Sequence, residues 1–549
     1  MLARQALVAG PRWLPTCRRA LSTTPAPGVL LRDYLFRGLY APGAGYFEQH
    51  ATILQTSPAG EAEHPAPVAS GRAPPSGQRL AFDQLAGETE YKQAVARLYT
   101  GAIGSADQPG DSPQVWHTPV EIFSPWYGRA LGRYLLSQHG RRLSRHGEHP
   151  LSVTELGGGN GTLMLDILDY IQAEAPSVYQ TMQYSLYDVS SRMHALQRAA
   201  LAGSAHAPLL DRRPGPAAGS VQLHHRSALD IDPSPDLGFV ISAEMLDNLP
   251  HDRVVWSARA PTKPFEIHVA PGPEPNGLPH ALARPAADPW VIQYLTLHME
   301  YRRFLDTMAA HQDASIWARV KSWVGSVTGG MAASTVAGPS LSPMGADHLP
   351  VSNMLGDIMY GLYAPTVCLQ LMDRLARARP RQSLLFTDFS ALPDAVSSEP
   401  LAPVVQSVLR PDQFPGFRLY PGITDSLYAP SVTDCQSAMA AETRALKTYL
   451  LPPDLLRQCD VFFPTDFQWL VWLDARLRRR HHPELFGPEE GTGAGSHAAG
   501  TGRALSHGDF FRAFGSPTGT RTRSGFDPLV DDYFNVGFLL TGTLDADAP

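Results

Sequence analysis

Between residues 149 and 256, short apolar runs alternate with longer stretches in which apolar residues recur every three to four positions. The runs at 151–155, 184–188, 221–225 and 237–242 have the length of strands. The last of them, Leu-Gly-Phe-Val-Ile-Ser, is apolar on both faces, as a central parallel strand is. The stretches at 162–173 and 191–201 read as helices, the first with Leu163, Met164, Ile167, Leu168 and Ile171 on one face. This alternation predicts an α/β fold: a doubly wound, mostly parallel sheet with helices on both sides. A Gly/Pro/Ala-rich loop at 203–220 interrupts it.

The flanks are less regular. An aromatic cluster at 29–56, a helix near 83–100 and an apolar-patterned helix running to 135 suggest an ordered N-terminal cap region over 29–148. The core is expected over 149–400, with a helical insertion at about 280–380 carrying helices at 289–311 and 354–378. A strand at 384–386, a helix at 466–480 and a returning strand or docked tail at 526–540 complete it, the last two within a C-terminal region over 401–549. Stretches at 57–80, 325–350 and about 487–505 are low in complexity and read as disordered inserts. Gly (47) and Pro (50) together make about 18 % of the chain, above the usual ~12 %, in keeping with such inserts.

Charge and cysteine usage exclude several classes. A net charge of −7 and a pI near 6.3 argue against a general nucleic-acid binder. No apolar run approaches the ~18 residues that would cross a membrane. Cys17, Cys368, Cys435 and Cys459 are too scattered for a disulfide scaffold, and with no C-x-x-C a structural zinc site is not expected. The pairs His224-His225 and His481-His482 are adjacent rather than at ligand spacing, so no metal site is expected. Residues 1–32 lack Asp and Glu and carry five arginines, so 1–28 reads as a mitochondrial transit peptide.

The chemistry concentrates at Glu155-Leu156-Gly157-Gly158-Gly159-Asn160-Gly161-Thr162, between a predicted strand and a predicted helix. Gly157, Gly159 and Gly161 allow a sharp turn and let backbone approach a ligand at the helix N-terminus. The loop has no Lys-Ser/Thr pair for an NTP, and Thr162 stands where a dinucleotide fingerprint needs glycine. Glu155 suits a ligand with a cationic head. Asp188 ends the next strand, where it can accept ribose hydroxyls, and Asp230 follows the third strand, where it can reach an adenine amine. The ligand that fits is S-adenosylmethionine. The fourth strand ends in Ser242-Ala243-Glu244-Met245-Leu246-Asp247. A guanidinium acceptor needs carboxylates to hold its fork and take a proton, and Glu244 and Asp247 are the candidates.

Three stretches together resemble the MidA-like family of methyltransferases, which includes a mitochondrial complex I assembly factor that methylates a protein arginine. Gly45-Tyr46-Phe47 is similar to its "GYY" segment. Thr118-Pro119, Glu121-Ile122 and Gly128 are similar to "TSPEIS…FGE". Glu155 to Thr162, Asp188-Val189-Ser190-Ser191 with Gln197, and Glu244-x-x-Asp247-x-Leu249-Pro250 match "E-x-G-x-G-x-G-T", "VE-x-S…Q" and "NE-x-x-D-x-LP". The segment 385–390 is similar to the family's "iDYG" strand.

The resemblance implies a class I methyltransferase-like fold, S-adenosylmethionine as cofactor, the mitochondrial matrix, and an arginine of a complex I subunit as acceptor. It further implies that Tyr46, Thr118 and Glu121 close over the cofactor and line a substrate channel. Ala243 stands where the family has Asn, Val120 is inserted in the Thr-Pro-Glu motif, and Phe389 and Ser390 replace Tyr and Gly. With large inserts at 57–80, 203–220 and 318–350, the chain reads as a divergent, fungal-type branch. Two other functions remain open at this level: an inactive assembly chaperone, or a small-molecule O-methyltransferase.

Overall fold

The computed structural model describes residues 28–57, 76–103, 115–116, 118–215, 218–271, 279–311, 349–350, 358–392, 399–407, 453–486 and 502–541. The expected transit peptide lies outside these residues, apart from residue 28, and so do most of the low-complexity stretches, but ends of these stretches are ordered: Ser76–Gln78 pairs with Gln55–Ser57, and Arg503–Ser506 joins the central sheet.

The central sheet has seven strands: β1 (Ser152–Leu156), β2 (Gln183–Asp188), β3 (Ser220–His225), β4 (Gly238–Ala243), β5 (Gln382–Phe389), β6 (Arg503–Ser506) and β7 (Val536–Leu540). Their spatial order is 3-2-1-4-5-7-6, with β7 antiparallel to both neighbours and the remaining pairs parallel. Leu156, Val240, Leu384 and Phe386 point to one face, under helices Pro289–His311, Thr366–Ala378 and Phe467–His481. Val153, Tyr184, Phe239, Ile241 and Phe538 point to the other, under Trp126–His146, Thr162–Glu174 and His507–Phe514. This is the doubly wound sheet expected from the sequence. Its strand order reverses between β1 and β4, where folds of this type open a crevice.

A second sheet was not anticipated. Strands Asp252–Ser257, Ala260–Ala270, His280–Pro285, Leu349–Pro350 and Ile358–Ala364 pair antiparallel, and Val29–Leu30 adds to Ala260–Ala270. The helix expected over 354–378 therefore begins at Thr366. Pro365 keeps Ala364 out of the helical region, and the strand's period of two sends Leu362 and Ala364 into one apolar cluster and Tyr363 into another. The second sheet is fastened by buried charges. Arg32, on helix Leu31–Tyr40, donates to Asp252 and, through both terminal guanidinium nitrogens, to Asp288 at 2.9 and 2.6 Å. Arg253 pairs with Glu399.

Candidate functional site

The glycine loop takes the form that its sequence requires. Gly157, Gly159 and Gly161 have φ of +72°, +50° and +88°, a region that side chains disfavour. A Cβ on Gly157 would also stand 3.1 Å from the Met245 side chain. Gly161 caps helix Thr162–Glu174, whose first turn presents unbonded N–H groups toward the crevice.

Above the carboxyl ends of β1, β2 and β4 lies a recess of about 1220 Å³, counting its open mouth. Glu155, Gly157, Gly159, Asp188, Thr118, Glu121 and Glu244 line it. Glu155 is buried and accepts from the Tyr184 hydroxyl at 2.7 Å. Burial, outweighing that hydrogen bond, raises its pKa to about 7. Asp188 accepts from the Ser190 N–H at 2.9 Å and from Gln197 at 2.8 Å, and burial raises it to about 6. Bare glycine backbone and two such carboxylates fit a phosphate-free, cationic nucleoside.

Four expected site residues lie elsewhere. Gly161 packs against Gln197 instead of facing the recess. The 3-10 turn Ala228–Asp230 turns Ala228 and Leu229 inward, and Asp230 is not in the wall. Tyr46 is fully buried in the apolar cluster under helix Leu31–Tyr40. Asp247 is buried behind the recess because the chain turns sharply at Glu244, whose φ is +54°. Residues 244, 245, 248 and 249 then face the recess, while Leu246 and Asp247 face inward.

Behind Glu244 the structure gathers acids from three segments. Asp388 on β5 accepts from the N–H groups of Asp247 (3.1 Å) and Phe389 (2.7 Å). Asp460, on strand Cys459–Phe462, accepts from Asn248 at 2.9 Å. Burial, then repulsion from Asp388, pushes the pKa values of Glu244 and Asp247 well above the carboxylate range. Burial raises Asp388 and Asp460 to about 7. Among the described residues none of these four acids forms an ion pair, and Glu244 Oε1 and Asp247 Oδ1 are buried without a hydrogen-bond partner.

Thr118 caps the short helix Pro119–Ile122, accepting from the Glu121 N–H at 3.2 Å. Glu121 in turn accepts from Asn160 (3.0 Å) and Thr162 (2.7 Å), bracing the glycine loop. Sequence reasoning missed the opposite wall, Phe36, Tyr40, Phe47 and Ile53. Its signal was the aromatic cluster at 29–56, which shows order but not facing. This N-terminal arm is latched across the crevice. Glu48 accepts from the Ser191 N–H and hydroxyl (2.8 and 2.7 Å), Arg192 donates to the Ala51 carbonyl, and Tyr40 donates to the Asn248 carbonyl.

Among the described residues no group of three or more acids, histidines or cysteines is placed to hold a metal, and no helix is long and apolar enough to cross a membrane. A comparison with curated proteins gave no match. Two solved structures from Burkholderia thailandensis resemble the chain. One is a COG1565 superfamily member and "likely methyl transferase" bound to S-adenosyl-homocysteine (15 % identity, TM-score 0.46). The other is a native COG1565 superfamily protein (14 % identity, TM-score 0.44). Each match covers 95 % of this chain and 89 % of the other. The model of the family described as "Putative S-adenosyl-L-methionine-dependent methyltransferase" matches residues 130–481, more than half of the chain. The chain thus belongs to this MidA-like family, and S-adenosylmethionine is its cofactor.

Proposed function

We propose that the chain methylates a protein arginine, in the mitochondrial matrix, during the assembly of respiratory complex I. The observation that carries the acceptor is the set of four carboxyl groups, Glu244 in the wall of the recess and Asp247, Asp388 and Asp460 buried behind it, with no ion pair among the described residues. Grouped acids of this kind hold their protons until a cation joins them. A guanidinium is a planar cation with five donors. The compartment and the pathway rest on the acid-free, arginine-rich start and on the family resemblance.

When bound, S-adenosylmethionine would supply an electrophilic methyl group. Glu155 and Asp188 would hold its cationic and ribose ends, and the glycine loop would admit it closely. Glu244, which reaches the recess, would orient one guanidinium nitrogen and take the proton that this nitrogen sheds on methylation. Asp247 and Asp388 would support that charge from behind.

The aromatic wall of Phe36, Tyr40 and Phe47 favours a second reading, a flat small-molecule acceptor. One experiment separates the two. The chain is incubated with methyl-labelled S-adenosylmethionine and either arginine peptides or small phenols and acids. Methylarginine on amino-acid analysis, abolished in Glu244→Gln, supports the proposal. Label on a small-molecule oxygen with none on arginine overturns it. Absence of any transfer, with complex I assembly intact in Asp247→Asn cells, would leave the chaperone reading.

A further inference from the structure

The conformation of Glu244 is one that a glutamate seldom adopts, and the groups that impose it sit on the next strand. Its N–H donates to the Thr387 carbonyl at 3.0 Å. The following residue on β5, Asp388, receives the N–H of Asp247 on one carboxylate oxygen and that of Phe389 on the other. The N–H groups of Met245 and Leu246 also bear on it. Asp388 is fully buried, outside the wall of the recess, and without an ion pair among the described residues. Its carboxylate is therefore spent on backbone amides, that of Asp247 in the turn that carries Glu244 and that of Phe389 on its own strand.

Among the described residues the titratable groups around this turn carry no positive charge. They are Tyr40 and Glu121 from the N-terminal elements, Tyr127 from helix Trp126–His146, Cys368 from helix Thr366–Ala378, Asp460, and Tyr533. After burial, the charge of Asp388 is the largest influence raising the proton affinity of Glu244 and Asp247.

We propose that Asp388 is a positioning residue for methyl transfer: its carboxylate, buried behind the recess, fastens the turn that presents Glu244. The inference rests on the reading of Glu244 as the group that meets the acceptor. An amide at this position keeps one acceptor but turns its NH₂ against a backbone N–H, and it carries no charge.

The test is Asp388→Asn, assayed from pH 5 to 9 with an arginine peptide. S-adenosylmethionine affinity by calorimetry should stay within about threefold, since Asp388 does not line the recess. kcat should fall by about tenfold or more. The acid limb of the kcat profile should move to lower pH by about one unit, because a repelling neighbour is gone. A residue that only supports the fold would lower the rate equally at every pH, and an unmoved limb overturns the proposal.

A readout without turnover covers the case in which no methylarginine forms and the arginine reading itself fails. The melting temperature of the wild-type chain should fall as pH rises from 5 to 8, and Asp388→Asn should flatten that fall; equal slopes overturn the proposal. If the variant does not fold, the wild-type chain serves. Binding of an arginine peptide at pH 6.5 should release protons, read by calorimetry in two buffers of different ionisation heat, and the absence of release overturns the proposal.

Discussion

The two sheets are held together by different physics. The seven-stranded sheet is sealed by aliphatic and aromatic side chains on both faces. The antiparallel sheet opens with Asp252 and Arg253, both almost wholly buried, and relies on Arg32 and Glu399 to balance them. Apolar burial is non-directional and tolerates imprecision. A buried ion pair works at one geometry only, and it leaves a costly charge when half is removed. The first sheet is thus a robust platform for the cofactor loop. The second fixes, residue by residue, where the N-terminal arm docks over the recess.

Arg32→Met breaks that comparison most severely. At pH 8 it should cost about 3–5 kcal/mol by urea unfolding, since Asp252 and Asp288 lose their cation. Near pH 5 the loss should shrink, because the Asp252 carboxyl, held near 6 by burial, takes a proton. Leu168→Ala in the first sheet's core should cost about 2–5 kcal/mol at either pH, through the cavity it leaves. Equal pH dependence in the two variants would erase the distinction.

The acids around the recess sharpen it further. Glu155, Asp388 and Asp460 are raised to about 7, and an unfolded chain ionises such groups near 4. Between those values the folded chain binds more protons than the unfolded one. The stability they contribute is therefore complete below about pH 4 and is lost as pH rises through about 7. The melting temperature of the cofactor-free chain should drop over that interval, in contrast to the usual acid sensitivity of paired carboxylates. A flat or rising profile would show that these acids are already ionised and compensated.

The smallest effect concerns the latch. Glu48→Ala removes the acceptor of the Ser191 N–H and hydroxyl, worth about 0.5–1.5 kcal/mol. S-adenosylmethionine should bind about two- to tenfold more weakly, chiefly through faster dissociation, measurable by stopped-flow. An unchanged off-rate would mean that the arm does not restrain the cofactor.

The difference between the sheets also explains what could be read from sequence. β1, β2, β4 and β5 were legible because parallel, covered strands are rich in apolar residues, β3, at the edge, from its place in the strand–helix alternation, and the glycine loop because three alternate positions need positive φ. The antiparallel sheet was not. Asp252, Arg253 and Glu266 are buried in it and break the apolar alternation. Their partners Arg32, Glu399 and His268 include residues far away in the chain. In the site, Glu155, Asp188 and Glu244 could be placed from strand ends. Asp247 could not, since one left-handed residue ahead of it reversed its facing, and Asp388 was visible only as part of a strand.

Residues 244–251 deserve a last consideration, for they are the covalent span from β4 to Asp252, where the other sheet begins. The span is pinned along the way by Thr387 and Asp388 on one strand, by Asp460 and the Phe463 N–H on another segment, and by Tyr40 of the arm. A polypeptide that gripped the outlying sheet or the arm would pull on the same short tether, so recognition at a distance and readiness for chemistry need not be separate events.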